Sequence, residues 1–339
     1  MKMIKVGLVG YGRLGKVYAH FLKYNVPKAD LIAICSISSE ELRQAKRDLD
    51  ITNLFSSYDD MLEMNELDAI YVVSSTDMHA DQIVSALEGG KHVFSEKPLA
   101  IELESCKKVM KVAEKNSHLK AMVGFVRRYD ESYVYAKSKV DDGSIGTPFL
   151  VRSQTVDKDS VSEFQIEYVN KSGGIFHDFN VHDVDLARWF LNSEMTTAYS
   201  VGGAYKYPAF AAKGDADNVM STCTFSNGAI AVINASRTGM HGHDTYTEVV
   251  GTKGTLRIGR PAQKNRVEIY DEYGARRECV ETFWDRFQNA FQAMVSDFID
   301  IIIENKHVEM DINNALKATE ATIAFTDSFK SGQIIKFSS

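Results

Sequence analysis

The feature that most constrains this chain is Gly10-Tyr11-Gly12-Arg13-Leu14-Gly15, which follows the strand-like run Ile4–Val9 and opens a helical pattern. Each glycine at that spacing has its own use. Gly10 permits a tight turn, Gly12 lets the backbone approach a pyrophosphate, and Gly15 allows close helix–strand packing, while the helix N-terminus turns N–H groups toward the anion. With Tyr11, Arg13 and Leu14 between the glycines, the segment reads as the phosphate turn of a dinucleotide site. The alternative is a glycine-rich turn with no ligand.

The surroundings have the matching texture. Leu31–Cys35, Ala69–Ser75, His92–Ser95 and Ala121–Gly124 read as further strands, with helical periods near 13–23, 39–49, 79–89 and 103–116. Strands separated by helices imply βαβ units and a parallel, doubly wound sheet. Nearly all-apolar runs such as Tyr71-Val72-Val73 fit strands covered on both faces. The ribose-reading position falls about 20 residues beyond the glycines, at Ser36, which lies 21 residues after Gly15. An Asp or Glu there would bind the ribose diol and repel a 2′-phosphate; Ser36 does neither, and the nearest following basic residue is Arg43. The cofactor is therefore read as a nicotinamide dinucleotide, NAD ahead of NADP, with NADP left open. Lys97 leaves the carboxyl end of the run from His92, the edge where open α/β sheets bind ligands, and Pro98 restricts its backbone. A solvated surface lysine is the competing reading.

After Gly124 strand-like runs follow one another with turns between, near 148–156, 196–206, 217–225, 229–236, 245–250, 255–258, 266–271 and 276–281. Asn227-Gly228 is a hairpin signal. This texture implies an α+β domain with a mostly antiparallel sheet. Two helices close the chain at about 284–305 and 312–330, the second capped by Asp311. A chain of 339 residues suits two domains of ~150, placed at 1–122 and 123–339. The run 229–235 lacks polar alternation, so both its faces are expected to be buried, one against helices and one against a second subunit.

The segment from Gly173 to Phe190 is apolar nearly all round a helix, yet Asp178, His182 and Asp185 fall at offsets of 0, +4 and +7 on one stripe. Buried carboxylates and an imidazole are costly without partners or chemistry to perform. Asp178 before His182 is an arrangement in which a carboxylate orients a histidine and raises its basicity. Three readings are open: a structural polar network, a metal site, and a general base facing a nicotinamide. A nicotinamide with a lysine nearby requires no metal, and the general base is preferred. His177 points off the stripe and reads as a core or capping residue.

Composition removes other classes. A net charge of −7, 39 basic against 46 acidic residues, gives no basic face for nucleic acid. No apolar run reaches the ~20 residues of a membrane helix, and the chain enters its first strand without a signal-peptide layout. Cys35, Cys106, Cys223 and Cys279 are scattered, as free thiols in a reducing cytoplasm would be.

Together and in order, the GYGRLG turn, Glu96-Lys97-Pro98, the helix from Gly173 to Asp185 and Gly124-Phe125-Val126-Arg127-Arg128-Tyr129-Asp130 resemble the glucose–fructose oxidoreductase/inositol dehydrogenase family, most closely its inositol 2-dehydrogenases. The resemblance spans essentially the whole chain. It implies an N-terminal Rossmann domain and a C-terminal domain with a large open sheet that pairs across subunits into a dimer or tetramer. It also implies oxidation of a secondary ring hydroxyl of a cyclic polyol such as myo- or scyllo-inositol. By position, Lys97, Asp178 and His182 match the catalytic set. Ser36, Ser75, Thr76, His79, Glu96 and Lys97 match the cofactor edge beyond the glycine turn. Arg127, Asp157, Asp185 and His241 join Asp178 and His182 around the substrate. Ser36 departs from the family's acidic residue, Asp77 stands where Asn is frequent, and His241-Gly242 replaces Tyr-Gly. The same fold also carries aldose dehydrogenases, NAD-assisted glycosidases and non-catalytic NAD-binding regulators.

Overall fold

The computed structural model describes residues 3–259 and 263–337. The chain divides into two compact units, Met1–Val126 with Phe291–Thr319, and Arg127–Ala290 with Glu320–Ser339.

The first unit is built on a parallel sheet of β1 (Ile4–Val9), β2 (Ala29–Cys35), β3 (Asn53–Phe55), β4 (Ala69–Val72), β5 (His92–Glu96) and β6 (Ala121–Gly124). Their order is β3-β2-β1-β4-β5-β6, the doubly wound arrangement whose direction reverses between β1 and β4. The crossovers carry α1 (Arg13–His20), α2 (Ser39–Leu49), α3 (Tyr58–Leu62), α4 (Thr76–Glu88) and α5 (Leu103–Lys115). The strands are apolar because both faces are covered: every residue of β4 is buried. Two elements carry too little pattern to read in sequence. The edge strand β3 is three residues long and nowhere fully buried, and α3 is five residues long. The helical period expected to 23 ends as α1 at His20 and continues as a π turn, Phe21–Asn25.

The return segment Phe291–Thr319 belongs to this unit's core. Tyr18, Tyr71 and Phe94 pack with Phe291 and Phe298 in an aromatic cluster. The Tyr71 hydroxyl donates to the Val295 carbonyl at 2.8 Å, and the Val123 N–H to the Met310 carbonyl at 2.9 Å.

The second unit holds β7 (Pro148–Lys158), β8 (Met195–Gly203), β9 (Asn218–Phe225), β10 (Ile230–Gly239), β11 (Asp244–Gly251), β12 (Thr255–Ile258), a β13–β14 ribbon (Ile269–Asp271, Gly274–Arg276) and β15 (Ile335–Lys336). The large sheet runs β12-β11-β7-β10-β9-β8-β15; β7 and β10 are parallel and the other neighbours antiparallel. Gly228, at φ +83°, makes the turn between β9 and β10, with Asn227 Oδ1 accepting the Ala229 N–H. Helices α6 (Glu131–Asp141), α7 (Ser162–Ser172), α8 (Val181–Leu191) and the short α9 (Pro208–Ala212) complete the unit, with parts of α10 (Phe283–Glu304) and α11 (Ile312–Ser331). Asp311 caps α11 through the Asn314 N–H at 2.8 Å.

The run 229–235 has the expected core face, and in the single chain its other face is uncovered. Along β10, Ala231, Ile233, Ala235 and Arg237 are buried, while Ile230 is exposed and Val232 and Asn234 are half-buried. One face is a core face. The opposite face, continued by exposed Tyr199, Val201 and Met220, is apolar and open in the single chain.

Candidate functional site

In the first unit the predicted cofactor residues stand at the carboxyl edge of the parallel sheet. Gly10 has φ +93°, and a β-carbon there would lie 2.5 Å from the Val73 carbonyl oxygen. A β-carbon on Gly15 would lie 2.0 Å from the Gly10 oxygen, so both positions require glycine. Gly12 caps α1 in an extended conformation and has open space in front of it. This is a cradle in which a pyrophosphate can meet bare backbone and the first N–H groups of a helix. Tyr11 is buried, Leu14 half-buried, and Arg13 is exposed as the first residue of α1. Ser36 directly follows β2, its hydroxyl donating to Glu41 Oε2 at 2.5 Å.

Ser75 is the N-cap residue of α4 and Thr76 its buried first residue. His79 is buried with its ring nitrogens 2.9 Å from the Pro98 carbonyl and 3.2 Å from that of Ser74. Burial lowers the His79 pKa, favouring the neutral ring. His79 thus ties the loop after β4 to the Lys97–Pro98 bend, whose peptide bond is cis. Glu96 is buried, takes the Tyr18 hydroxyl on one oxygen and the Lys97 N–H on the other at 3.1 Å, and burial pushes its pKa up. Lys97 itself is half-buried beyond the strand end.

In the second unit the helix with the acidic stripe differs from the expected one. Phe176–Asn180 is a π turn, and α8 starts only at Val181. A wider turn holds more residues, so offsets counted at 3.6 per turn do not carry across it. Asp178, His182 and Asp185 do not form one stripe of like surroundings. From Gly174 to Arg188 every residue is buried except Asp178 and His182. Asp185 is 1% exposed and takes both Arg128 Nε (2.8 Å) and Nη2 (2.7 Å), with the guanidinium over the Trp189 ring. Its carboxylate is engaged in a bidentate pair. Arg127 is likewise buried, donating to Asp183 at 2.8 Å and to Thr155 at 2.6 Å.

Asp183, which sequence reasoning passed over, is the hub. Fully buried, it accepts from Arg127 and Ser153 on Oδ1 and from Thr155 and Asn180 on Oδ2. Four charge-assisted or hydroxyl donors satisfy a carboxylate that would otherwise be expensive to bury. It holds the start of α8 to β7. Farther along β7, Asp157 keeps a partly exposed carboxylate that accepts from Gln165 at 2.8 Å and faces His243 Nδ1 at 2.9 Å. His243 is buried, and it too was missed; the neighbouring His241, to which the family resemblance points, is exposed and lies 3.4 Å from Asp244. Both histidines precede β11, with Gly242 at φ +125° between them, so no strand alternation separates the two in the sequence.

A parallel doubly wound sheet with a glycine cradle, followed by a sheet unit presenting a carboxylate and a histidine, defines a dinucleotide-dependent oxidoreductase. Residues 4–125 match the sequence profile described as the oxidoreductase family with an NAD-binding Rossmann fold, and residues 133–257 match that of the GFO/IDH/MocA C-terminal domain. The chain belongs to the GFO/IDH/MocA oxidoreductase family. It is 32% identical to the scyllo-inositol 2-dehydrogenase (NAD(+)) of Bacillus subtilis, over 98% of this chain and 96% of that one. A solved scyllo-inositol dehydrogenase from Lactobacillus casei, with bound NAD(H) and scyllo-inositol, superposes at TM-score 0.95 with 35% identity, covering 99% of each chain. The myo-inositol 2-dehydrogenase structure from Lactobacillus plantarum gives TM-score 0.96 at 32% identity, over 99% of this chain and all of that one.

Proposed function

We propose that this protein is an NAD-dependent inositol 2-dehydrogenase, oxidising a secondary ring hydroxyl of scyllo- or myo-inositol to the ketone. The observation that carries the reading is the surface of the helix at 174–188, where Asp178 and His182 alone escape burial. An otherwise buried helix that opens only at a carboxylate and an imidazole presents a proton acceptor. Bound NAD supplies the hydride acceptor. His182 takes the hydroxyl proton, and Asp178, the other unburied residue of this surface, stabilises the imidazolium that forms. Lys97, beyond the end of β5 at the cofactor edge, is read as a hydrogen-bond donor that steadies growing negative charge on a reacting oxygen. Asp157 accepts from a neighbouring hydroxyl and helps choose which carbon reacts. Arg127 and Asp185, engaged with Asp183 and Arg128, serve this reading by holding the helix rather than the substrate.

The same reading makes the protein a cytoplasmic homo-oligomer, a dimer or tetramer, that pairs through the open face of β8, β9 and β10. It takes support from the exposed Tyr199, Val201, Met220 and Ile230 on that face. Among the described residues no helix is long and apolar enough to cross a membrane, and the four cysteines form no disulfide.

The test is incubation of purified protein with NAD or NADP and a panel of inositols, glucose, galactose and xylose, following reduced-cofactor absorbance. Turnover with an inositol and NAD is the expected result. Turnover confined to an aldose, or cleavage of a glycoside without net NADH, would replace this reading.

A further inference from the structure

We propose that Glu41, on α2, is the residue that reads the adenosine ribose of the cofactor and excludes a 2′-phosphate. The position usually acidic at the end of β2 is Ser36, which can neither bind a diol as an anion nor repel a phosphate. The structure brings a carboxylate to it from five residues on. Ser36 Oγ donates to Glu41 Oε2 at 2.5 Å. The other oxygen, Glu41 Oε1, lies 3.9 Å from where a β-carbon on Gly12 would stand, and no other heavy atom beyond Gly12's chain neighbours comes as near. The carboxylate therefore spans the gap between the end of β2 and the glycine turn. That gap is where a dinucleotide with its pyrophosphate on the α1 N-terminus must place its adenosine ribose.

The local sequence explains how Glu41 gets there. Ser38 caps α2, its hydroxyl accepting the Glu41 N–H at 3.3 Å, which places Glu41 at the third helical position. In a capping box that glutamate reaches back to the N–H of the cap residue. Here the Ser38 N–H is taken by Ser36 Oγ at 3.1 Å, and the Glu41 carboxylate bonds the same hydroxyl instead. Ser36 thus works as a bracket that aims the carboxylate at the cradle. The arginines of this helix turn to Glu40 instead. Arg43 donates to it through Nε and Nη2, at 3.1 and 2.7 Å, and Arg47 lies 3.8 Å from it. A ribose 2′,3′-diol offers two donors to an anionic acceptor, whereas a 2′-phosphate would bring like charge against it.

This inference rests on dinucleotide binding at the glycine turn and is independent of which polyol is oxidised. Its test is calorimetric titration of the purified protein with ADP, 2′-phospho-ADP, NADH and NADPH, requiring no turnover. The intact protein is expected to bind ADP and NADH about 100-fold more tightly than their 2′-phosphorylated counterparts, the scale of one close like-charge contact. Glu41→Gln, which keeps the side-chain shape, is expected to weaken ADP and NADH about 10-fold by removing the charge from the hydrogen bonds, and to collapse the discrimination. Ser36→Asp in the Glu41→Gln background returns a carboxylate to the end of β2 and is expected to restore it, which separates lost charge from a damaged fold. Unchanged discrimination in Glu41→Gln, with its melting temperature intact, would overturn the proposal alone. Equal binding of ADP and 2′-phospho-ADP by the intact protein would do the same. Failure of the intact protein to bind ADP or NADH at all would overturn the dinucleotide reading together with it.

Discussion

Tyr18 on α1 and Glu96 at the end of β5 are joined by a buried hydrogen bond across 78 residues of chain. Because the second Glu96 oxygen accepts the Lys97 N–H, the helix that opens at the glycine turn is linked through one carboxylate to the backbone of the lysine. Cofactor cradle and lysine are thereby held as one piece within the first unit.

That carboxyl has a pH signature. Burial raises the Glu96 pKa above its ordinary 4.5. The folded chain then holds this proton more firmly than the unfolded one. The resulting stability is present below about 4.5 and is lost as pH climbs through the raised value. Glu96→Gln has no such proton, so its melting temperature should gain on that of the intact protein as pH rises through this window. Thermal unfolding of both across mildly acid to neutral pH measures the difference, and a constant gap would remove Glu96 as its source.

His182→Ala and Lys97→Ala should each lower turnover by ~100-fold or more, the usual contribution of a proton acceptor or an oxyanion donor. Both should leave NADH affinity within a few-fold of normal. Stopped-flow turnover beside a fluorescence titration of NADH separates the effects; full activity in either variant removes that residue from the chemistry.

The two neighbouring glycines should respond differently to alanine. At Gly12 an added methyl meets no crowding, so Gly12→Ala should melt near the intact protein yet bind NADH about 10-fold more weakly, since the methyl occupies the approach of the pyrophosphate. Gly15→Ala forces a methyl against the Gly10 carbonyl and should instead lower the melting temperature itself. Calorimetry on both variants checks the contrast.

Asp183→Asn leaves the buried Arg127 guanidinium without its counter-charge, and a broken buried pair typically costs ~3–5 kcal/mol. Urea unfolding should show a loss of that size. Val201→Asp combined with Met220→Asp puts charges on the open sheet face and should shift the molar mass in light scattering toward the single chain, with the fold retained by circular dichroism.

The first unit was legible because its glycines and apolar runs punctuate the sequence: β1 ends against Gly10 and β6 at Gly124, and their bounds follow from that alone. Most strands of the second were legible too, but its site resisted for two reasons. A helical wheel assumes constant pitch, and the π turn at Phe176–Asn180 breaks it just where the acidic residues lie. Pairings such as Arg127 with Asp183, 56 residues apart, leave no periodic trace. For the same reason the sequence points to His241, while the carboxylate of Asp157 is met by His243. The serine at the end of β2 read as an absent charge because the carboxylate arrives from the next helix, by a bond no spacing rule anticipates.

The return of Phe291–Thr319 into the first unit bears on how the protein is made. A ribosome that has released residues 1–126 has delivered every strand of the parallel sheet but not Phe291 or Phe298, the rings that complete the cluster around Tyr18, Tyr71 and Phe94. The Tyr71 hydroxyl and the Val123 N–H must likewise wait for Val295 and Met310. The nascent nucleotide fold therefore emerges with an open apolar flank and closes only when translation is almost finished, so a protein cut short before that point exposes a sticky core instead of a smaller working domain.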